Sequence, residues 1–508
     1  MSQAMSDTQP GAAPAGGPAP SQIPDLIRIG AVPTSTAIDV ETTILEPTSF
    51  SQNEVTFILQ NKGLLHSNSK ITLSVTPPAD GSASNAFFPL GCGVNSLIRR
   101  AVLRVGGKEV CSTEDMAHLA GYTSTFISSE NNRQREQVLT ARCMAHDLYY
   151  QNGGFTDRAG GGESDTGASY YGFNNGKEPL HVSVSGTEKE NYKLYPYQFI
   201  KHEPVFQLNL SDLFPALRTI QLPLFMMKEQ VQLQIFWTNA TPDTGTAGSR
   251  RVSLGHAAGH GDTYDIIQDQ CKLIADHIYY PQDMMEAYRA QNQVMNFTYS
   301  DFEMSKRTLT RAEATKQVWN IGGNSKIVNK VVTMVSSASE GEGALLNRYH
   351  ALAPNRDYTG AAADRFNGSL KTNIKYNNEF LYPVDRDLNA VHFSDVIQTE
   401  GAPMFCSRQE YSFEGDTLTP SKLEELRQNG SGAADFRDGF SGRFFYQAYR
   451  LNKGERVNTR GIEVYQDYSS QDGTNADLNE NDPLEWRAYL EVIKFAQLQD
   501  GIMTVKFA

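Results

Sequence analysis

Residues 102–110 read VLRVGGKEV, and residues 373–381 read NIKYNNEFL. Each is an alternating apolar run interrupted at its centre by two residues that tolerate positive φ. Gly106-Gly107 and Asn377-Asn378 suit a two-residue type I′ turn, whose twist matches that of two antiparallel strands. Each stretch therefore reads as two short strands joined at a tip, not as one flawed strand. Helical or turn-forming sequence follows both, STEDMAHL at 112–119 and PVDRDLNAVHF at 383–393. The tips lie 271 residues apart, from 106 to 377, near half of the 508-residue chain.

A second, looser pair sets NSKITLSV, ending at Val75, against NKVVTMVS around Val335, with about 260 residues between them. Two origins fit these matches: diverged copies of one β domain, or coincidence between common hairpin types. A chain of this length exceeds what a single core usually organises, and about two domains is the default expectation.

Period-two alternation runs the length of the chain. KITLSV at 70–75 puts Ile71, Leu73 and Val75 on one face, VFQLNL at 205–210 does the same with Phe206, Leu208 and Leu210, and VQLQIFW at 231–237 repeats the pattern. KVVTMVSS, RGIEVYQDY, WRAYLEVIKF and GIMTVKFA continue it in the second half. Helical signals are few. Ser129 caps a segment with Val138, Ala141, Ala145 and Leu148 at helical spacing, and Thr419-Pro420 opens SKLEELRQ with proline in the first turn. The glycine-rich excursions at 151–167 and 242–265 are too long for hairpin turns and read as surface loops. The chain is expected to be all-β, with a few short helices and long surface loops.

Composition removes several function classes. Lys plus Arg total 45 against 58 Asp plus Glu, a formal charge of −13, with no dense basic cluster. That balance offers a polyanion no counterion-release attraction, so direct, sequence-specific nucleic-acid binding by the folded body is not expected. Cys92, Cys111, Cys143, Cys271 and Cys406 are odd in number and lack a CxxC pair, which suits reduced thiols rather than a disulfide frame or zinc site. No stretch reaches the roughly 18 apolar residues of a membrane span, and the first residues lack a signal-peptide pattern. The Asn239 and Asn296 glycosylation triplets then carry no weight. The opening Pro/Ala/Gly/Ser-rich segment buries too little apolar surface to offset its ordering entropy and reads as an arm over residues 1–30, either a plain tail or one that orders against a neighbouring subunit.

Catalytic templates fare poorly. His256, His260 and Asp262 in GHAAGHGD have the i, i+4 spacing of a helical zinc pair, but the flanking glycines argue against the helix, and an ordinary loop is the reading adopted. GGNSK at 322–326 lacks the full phosphate-loop pattern, so Ser325 and Lys326 read as turn residues. No GxSxG elbow occurs. Phe206, Phe236 and Trp237 lie within strands, where core and interface packing is the expected use. No catalytic residue, cofactor or metal is assigned, and the residues singled out are the turn pairs Gly106, Gly107, Asn377 and Asn378.

GGKEV with STEDMAHL, LNLSDLFPALRTIQLPLFM at 208–226, DHIYYPQDM at 276–284 and YNNEFLYPVDRDLNAVHFSDV at 376–396 together resemble the double jelly-roll major capsid proteins of tailless icosahedral DNA viruses, in the virophage and polinton-like virus branch. The resemblance implies two tandem eight-stranded jelly rolls, 31–283 and 284–508, with the boundary near Tyr279-Tyr280-Pro281. It implies a virion structural protein made and assembled inside the host cell. Three copies would form a pseudo-hexameric homotrimer that tiles a shell around a DNA genome, with minor capsid, penton and cement proteins as further partners. The alternative from another class is a tandem β-sandwich carbohydrate-binding or hydrolytic protein, which would be monomeric or dimeric with a carboxylate- or aromatic-lined cleft.

Overall fold

A computed structural model describes residues 38–74 except 52, 92–126, 205–238, 266–309, 317–337, 369–404, 444–451, 454–469 and 484–507, with short pieces between them. The expected arm, the capped segment at 130–148, SKLEELRQ and the excursion at 151–167 fall wholly or almost wholly outside the described residues.

Among the described residues sixteen principal strands make two sandwiches, and two further two-residue strands, Ser49–Phe50 and Leu64–Leu65, pair with Glu54–Leu59 and Lys272–Tyr279 of the first. The first contains β1 (Asp39–Leu45), β2 (Glu54–Leu59), β3 (Lys70–Ser74), β4 (Ile98–Val105), β5 (Lys108–Glu114), β6 (Val205–Asn209), β7 (Val231–Trp237) and β8 (Lys272–Tyr279). The second contains β9 (Val294–Leu309), β10 (Gln317–Gly322), β11 (Val328–Ser337), β12 (Ser369–Tyr376), β13 (Glu379–Phe380), β14 (Gln447–Arg450), β15 (Ile462–Ser469) and β16 (Leu484–Gln499). A further strand, β17 (Ile502–Phe507), pairs with β16.

The sheet orders repeat. In the first sandwich they are β1-β8-β3-β6 and β2-β7-β4-β5; in the second, β9-β16-β11-β14 and β10-β15-β12-β13. Adding eight to each strand number of the first sandwich reproduces the second. All these pairs are antiparallel, and the chain changes sheet at each successive strand except within the β4–β5 and β12–β13 hairpins, which is the jelly-roll pattern. The sequence pair KITLSV and KVVTMVSS occupies the same place in both, as β3 and β11.

Alternation explains why these segments are strands. In β7 Val231, Leu233, Ile235 and Trp237 are buried while Gln232, Gln234 and Phe236 face the other way. In β3 and β6, Ile71, Leu73, Phe206 and Leu208 are buried on the shared face. The long connections carry strands of their own, in two small three-stranded sheets. One joins Ala240–Pro242, Arg250–Ser253 and Thr263–Tyr264; the other joins Gly255–His256, Asn85–Phe87 and His181–Ser183. The 242–265 excursion is thus in part sheet. Cross-strand pairing across distant loops is invisible to a local pattern.

Helix α1 (Met116–Ser124) follows the β4–β5 hairpin, and α3 (Asn389–Glu400) follows β12–β13. Between the sandwiches lies α2 (Gln282–Gln291). Cys92, Cys111, Cys271 and Cys406 are buried, and no disulfide joins the described residues.

Candidate functional site

The four turn residues sit at equivalent places, the β4–β5 tip of one sandwich and the β12–β13 tip of the other. Val105 pairs with Lys108 and Tyr376 with Glu379, leaving two-residue loops. Gly106 and Gly107 have φ of 57° and 79°, and Asn377 and Asn378 have 52° and 69°. Both central residues are left-handed, as a type I′ turn requires.

Their surroundings differ. A Cβ on Gly106 would press into the Glu229 carboxylate. The Gly106 N–H donates to the Gln230 carbonyl at 3.0 Å, so this tip lies flat against residues 229–230. At the second tip the side chains are used. Asn377 Oδ1 accepts from the Asn458 N–H at 2.8 Å, and Asn378 Oδ1 accepts from Arg460 at 3.2 Å. Glycine serves where space is lacking, and asparagine serves where an amide must hold a neighbouring loop.

The first tip belongs to a larger seam between the sandwiches. Tyr299 of β9 donates its hydroxyl to the Val110 carbonyl at 2.7 Å, and Tyr489 of β16 donates to the Asp115 carbonyl at 3.0 Å. Asp115, left-handed at φ 45°, follows β5 and precedes α1. Its carboxylate accepts from Arg487 Nε at 2.9 Å, while the same guanidinium reaches Ser336 and Glu485. Burial pushes Asp115 up, but Arg487, together with His118 and Lys306, outweighs this and holds the carboxyl below its ordinary value. Arg487 is almost fully buried, and the planar fork lets one cation serve three elements.

Along β9 and β16, directly opposed residues share a face. Trp486, Ala488, Leu490 and Val492 pack in the core of the second sandwich. Met295 opposite Leu498, and Phe297 opposite Ala496, pack in the core of the first. Asp301 and Lys494 stand at the changeover, paired at 2.5 Å and buried. Burial pushes Asp301 up to about 6 despite Lys494 and the Phe302 and Ser112 N–H groups. The exchange is reciprocal: Leu119 and Tyr122 of α1 pack in the second core, and the Tyr122 hydroxyl donates to Glu400 of α3.

The contacts that join the two sandwiches are distant in sequence, and no local pattern announces them. Asp115 and Arg487 lie 372 residues apart, and Asp301 and Lys494 lie 193 apart. One signal was available. Asp500-Gly501 between alternating runs is a type I′ pair, and it joins β16 to β17 with φ of 52° and 81°.

His260 and Asp262 lie outside the described residues, and His256 is in a short edge strand. Ser325 is a turn residue at φ 59°, and Lys326 Nζ pairs with Glu303 at 2.6 Å. Among the described residues no group of three or more His, Cys, Asp or Glu is placed to hold a metal. No helix there is long and apolar enough to cross a membrane.

The sheet orders define a class, the double jelly roll. No family model and no curated protein matches the chain. Among solved structures, PBCV-1 VP54, as fitted into a cryo-EM reconstruction of the virophage Sputnik, aligns with TM-score 0.50 at 10% identity, over 94% of this chain and 98% of that one. The cryo-EM structure of the Sputnik virophage gives 0.46 at 12% identity (98% and 94%), and the mavirus major capsid protein gives 0.43 at 11% (98% and 97%). The VP54 alignment covers both sandwiches and shows that the chain shares that fold.

Proposed function

We propose that this protein is the major capsid protein of an icosahedral DNA virus of the virophage or polinton-like type, a structural subunit and not an enzyme. The chain divides into an arm (1–30), a first jelly roll (31–283) and a second (284–508). Three copies associate as a homotrimer whose six sandwiches approximate a hexagon, and these capsomers tile a shell around the genome. Minor capsid, penton and cement proteins complete the virion, which is the protein's location after assembly in the host cell.

The observation that carries this reading is the repeat: two sandwiches whose eight principal strands follow the same sheet order on one chain, each sending side chains into its neighbour's core. A rigid doubled unit supplies two similar faces, and threefold closure of two such faces gives a near-sixfold outline without an identical sixfold subunit. The likeness in fold to VP54, a protein fitted into a cryo-EM reconstruction of a virophage, supports it further.

Size-exclusion chromatography with light scattering, followed by electron microscopy, tests the reading. The expected result is a mass of three chains at micromolar concentration, with hexagonal particles that form sheets or shells. A monodisperse monomer would remove it.

A further inference from the structure

Strand β17 is not one of the sixteen strands that build the two jelly rolls. By chain connection it belongs to the second, as a ninth strand paired along β16 from Gln499–Ile502 to Lys494–Phe507. Its side chains go elsewhere. Met503 is buried in the core of the first sandwich, beside Leu498 and Ala496, and Val505 packs against that same core.

The backbone around Met503 is fastened to the first sandwich as well. The Lys228 N–H donates to the Gly501 carbonyl at 2.9 Å, the Met503 N–H donates to Glu229 Oε2 at 2.9 Å, and Lys108 Nζ donates to the Met503 carbonyl at 3.4 Å. Gly501 has the close approach this requires, since a Cβ there would stand 2.9 Å from the Met226 carbonyl oxygen. Glu229 is the carboxylate on which the Gly106 tip rests, so tip, carboxylate and β17 form one contact.

We infer that β17 is a strap: it is carried by the second sandwich but closes the core of the first, so that the first jelly roll is complete only when residues 500–507 are seated on it. An ordinary edge strand would bury side chains in its own sandwich and hydrogen-bond only along its own sheet. Here both the buried side chains and three hydrogen bonds cross to the other sandwich. A consequence for synthesis follows. The first jelly roll, though made earlier, is finished late, and a chain that stops short of the strap presents an open first core.

The inference is independent of oligomeric state and is tested by hydrogen exchange on the full chain and on a chain ending at Gln499, which keeps all sixteen sandwich strands. Protection in β4, β5 and β7 is expected to fall at least tenfold, and more than protection in β12 and β15. Where the shortened chain does not accumulate, Met503→Ala in the full chain carries the same test, because that side chain contributes to the first core. First-sandwich protection unchanged within twofold would overturn the strap. So would a loss that is equal in both sandwiches or larger in the second, since that would report only the removal of a strand from its own sheet.

Discussion

A methyl group at Gly106 would be pressed into the Glu229 carboxylate, whereas one at Gly107 meets nothing within 4 Å. Both positions have positive φ, so both alanine variants bear the left-handed strain of about 1 kcal/mol. Gly106→Ala must in addition displace Glu229 from the Met503 N–H, and a total cost of about 2–3 kcal/mol is expected. Chemical denaturation of the two variants checks this, and equal midpoints would contradict it. His392 makes a different residue-scale prediction. Its ring is buried, Nε2–H donates to the Leu370 carbonyl at 3.1 Å, and burial lowers its pKa to about 4. The unfolded chain takes up that proton near pH 6.5 and the folded one does not. Stability from this group is therefore full above about pH 6.5 and declines as pH falls toward 4, by about 3 kcal/mol in all. His392→Gln should flatten the stability profile between those limits; an unaltered slope would assign the acid sensitivity to other groups.

At the scale of the element, the β9–β16 ribbon is the decisive piece. Its register makes each opposed pair a rung, and the rungs pass from one core to the other between Asp301–Val492 and Tyr299–Lys494, whose charged members pair diagonally. A charged pair at that point satisfies both groups where neither core is continuous, but it depends on both partners. Lys494→Met is expected to cost about 3 kcal/mol or more, because it leaves the Asp301 carboxyl buried without its cation. Adding Asp301→Asn removes the stranded charge while keeping an acceptor for the Phe302 N–H, and should recover about 1 kcal/mol or more. A double-mutant cycle by urea denaturation measures this; strictly additive losses would show that the pair is not coupled. Hairpins and strands of this kind were legible in the sequence because their signals are local. Gly106-Gly107 and Asn377-Asn378 announce their turns within four residues, and β7 announces its buried face by alternation. The short strands at Arg250–Ser253 and Thr263–Tyr264 carry no such local signal, because their pairing partners, not their own composition, make them strands.

At the scale of the whole molecule, the proposed assembly makes a prediction about the residues before β1. A segment so poor in core-forming side chains contributes little to domain stability and is suited to contacts between capsomers. Deleting residues 1–24 is expected to leave the trimer intact and to reduce the yield of closed shells. Light scattering on the capsomer and particle counts by electron microscopy check the two halves of that statement. Normal shell yield would remove the arm from assembly.

The all-β class and the matching hairpin tips of the two sandwiches are legible in the chain's local patterns, because turn chemistry and period-two alternation are written in adjacent residues. The residues that bind the two sandwiches together emerge from the folded chain alone. Asp115 with Arg487, Asp301 with Lys494, and Met503 with the first core are pairings across hundreds of residues. Local propensity sets how a segment folds, whereas burial of charge and of apolar surface depends on what the completed chain brings alongside it.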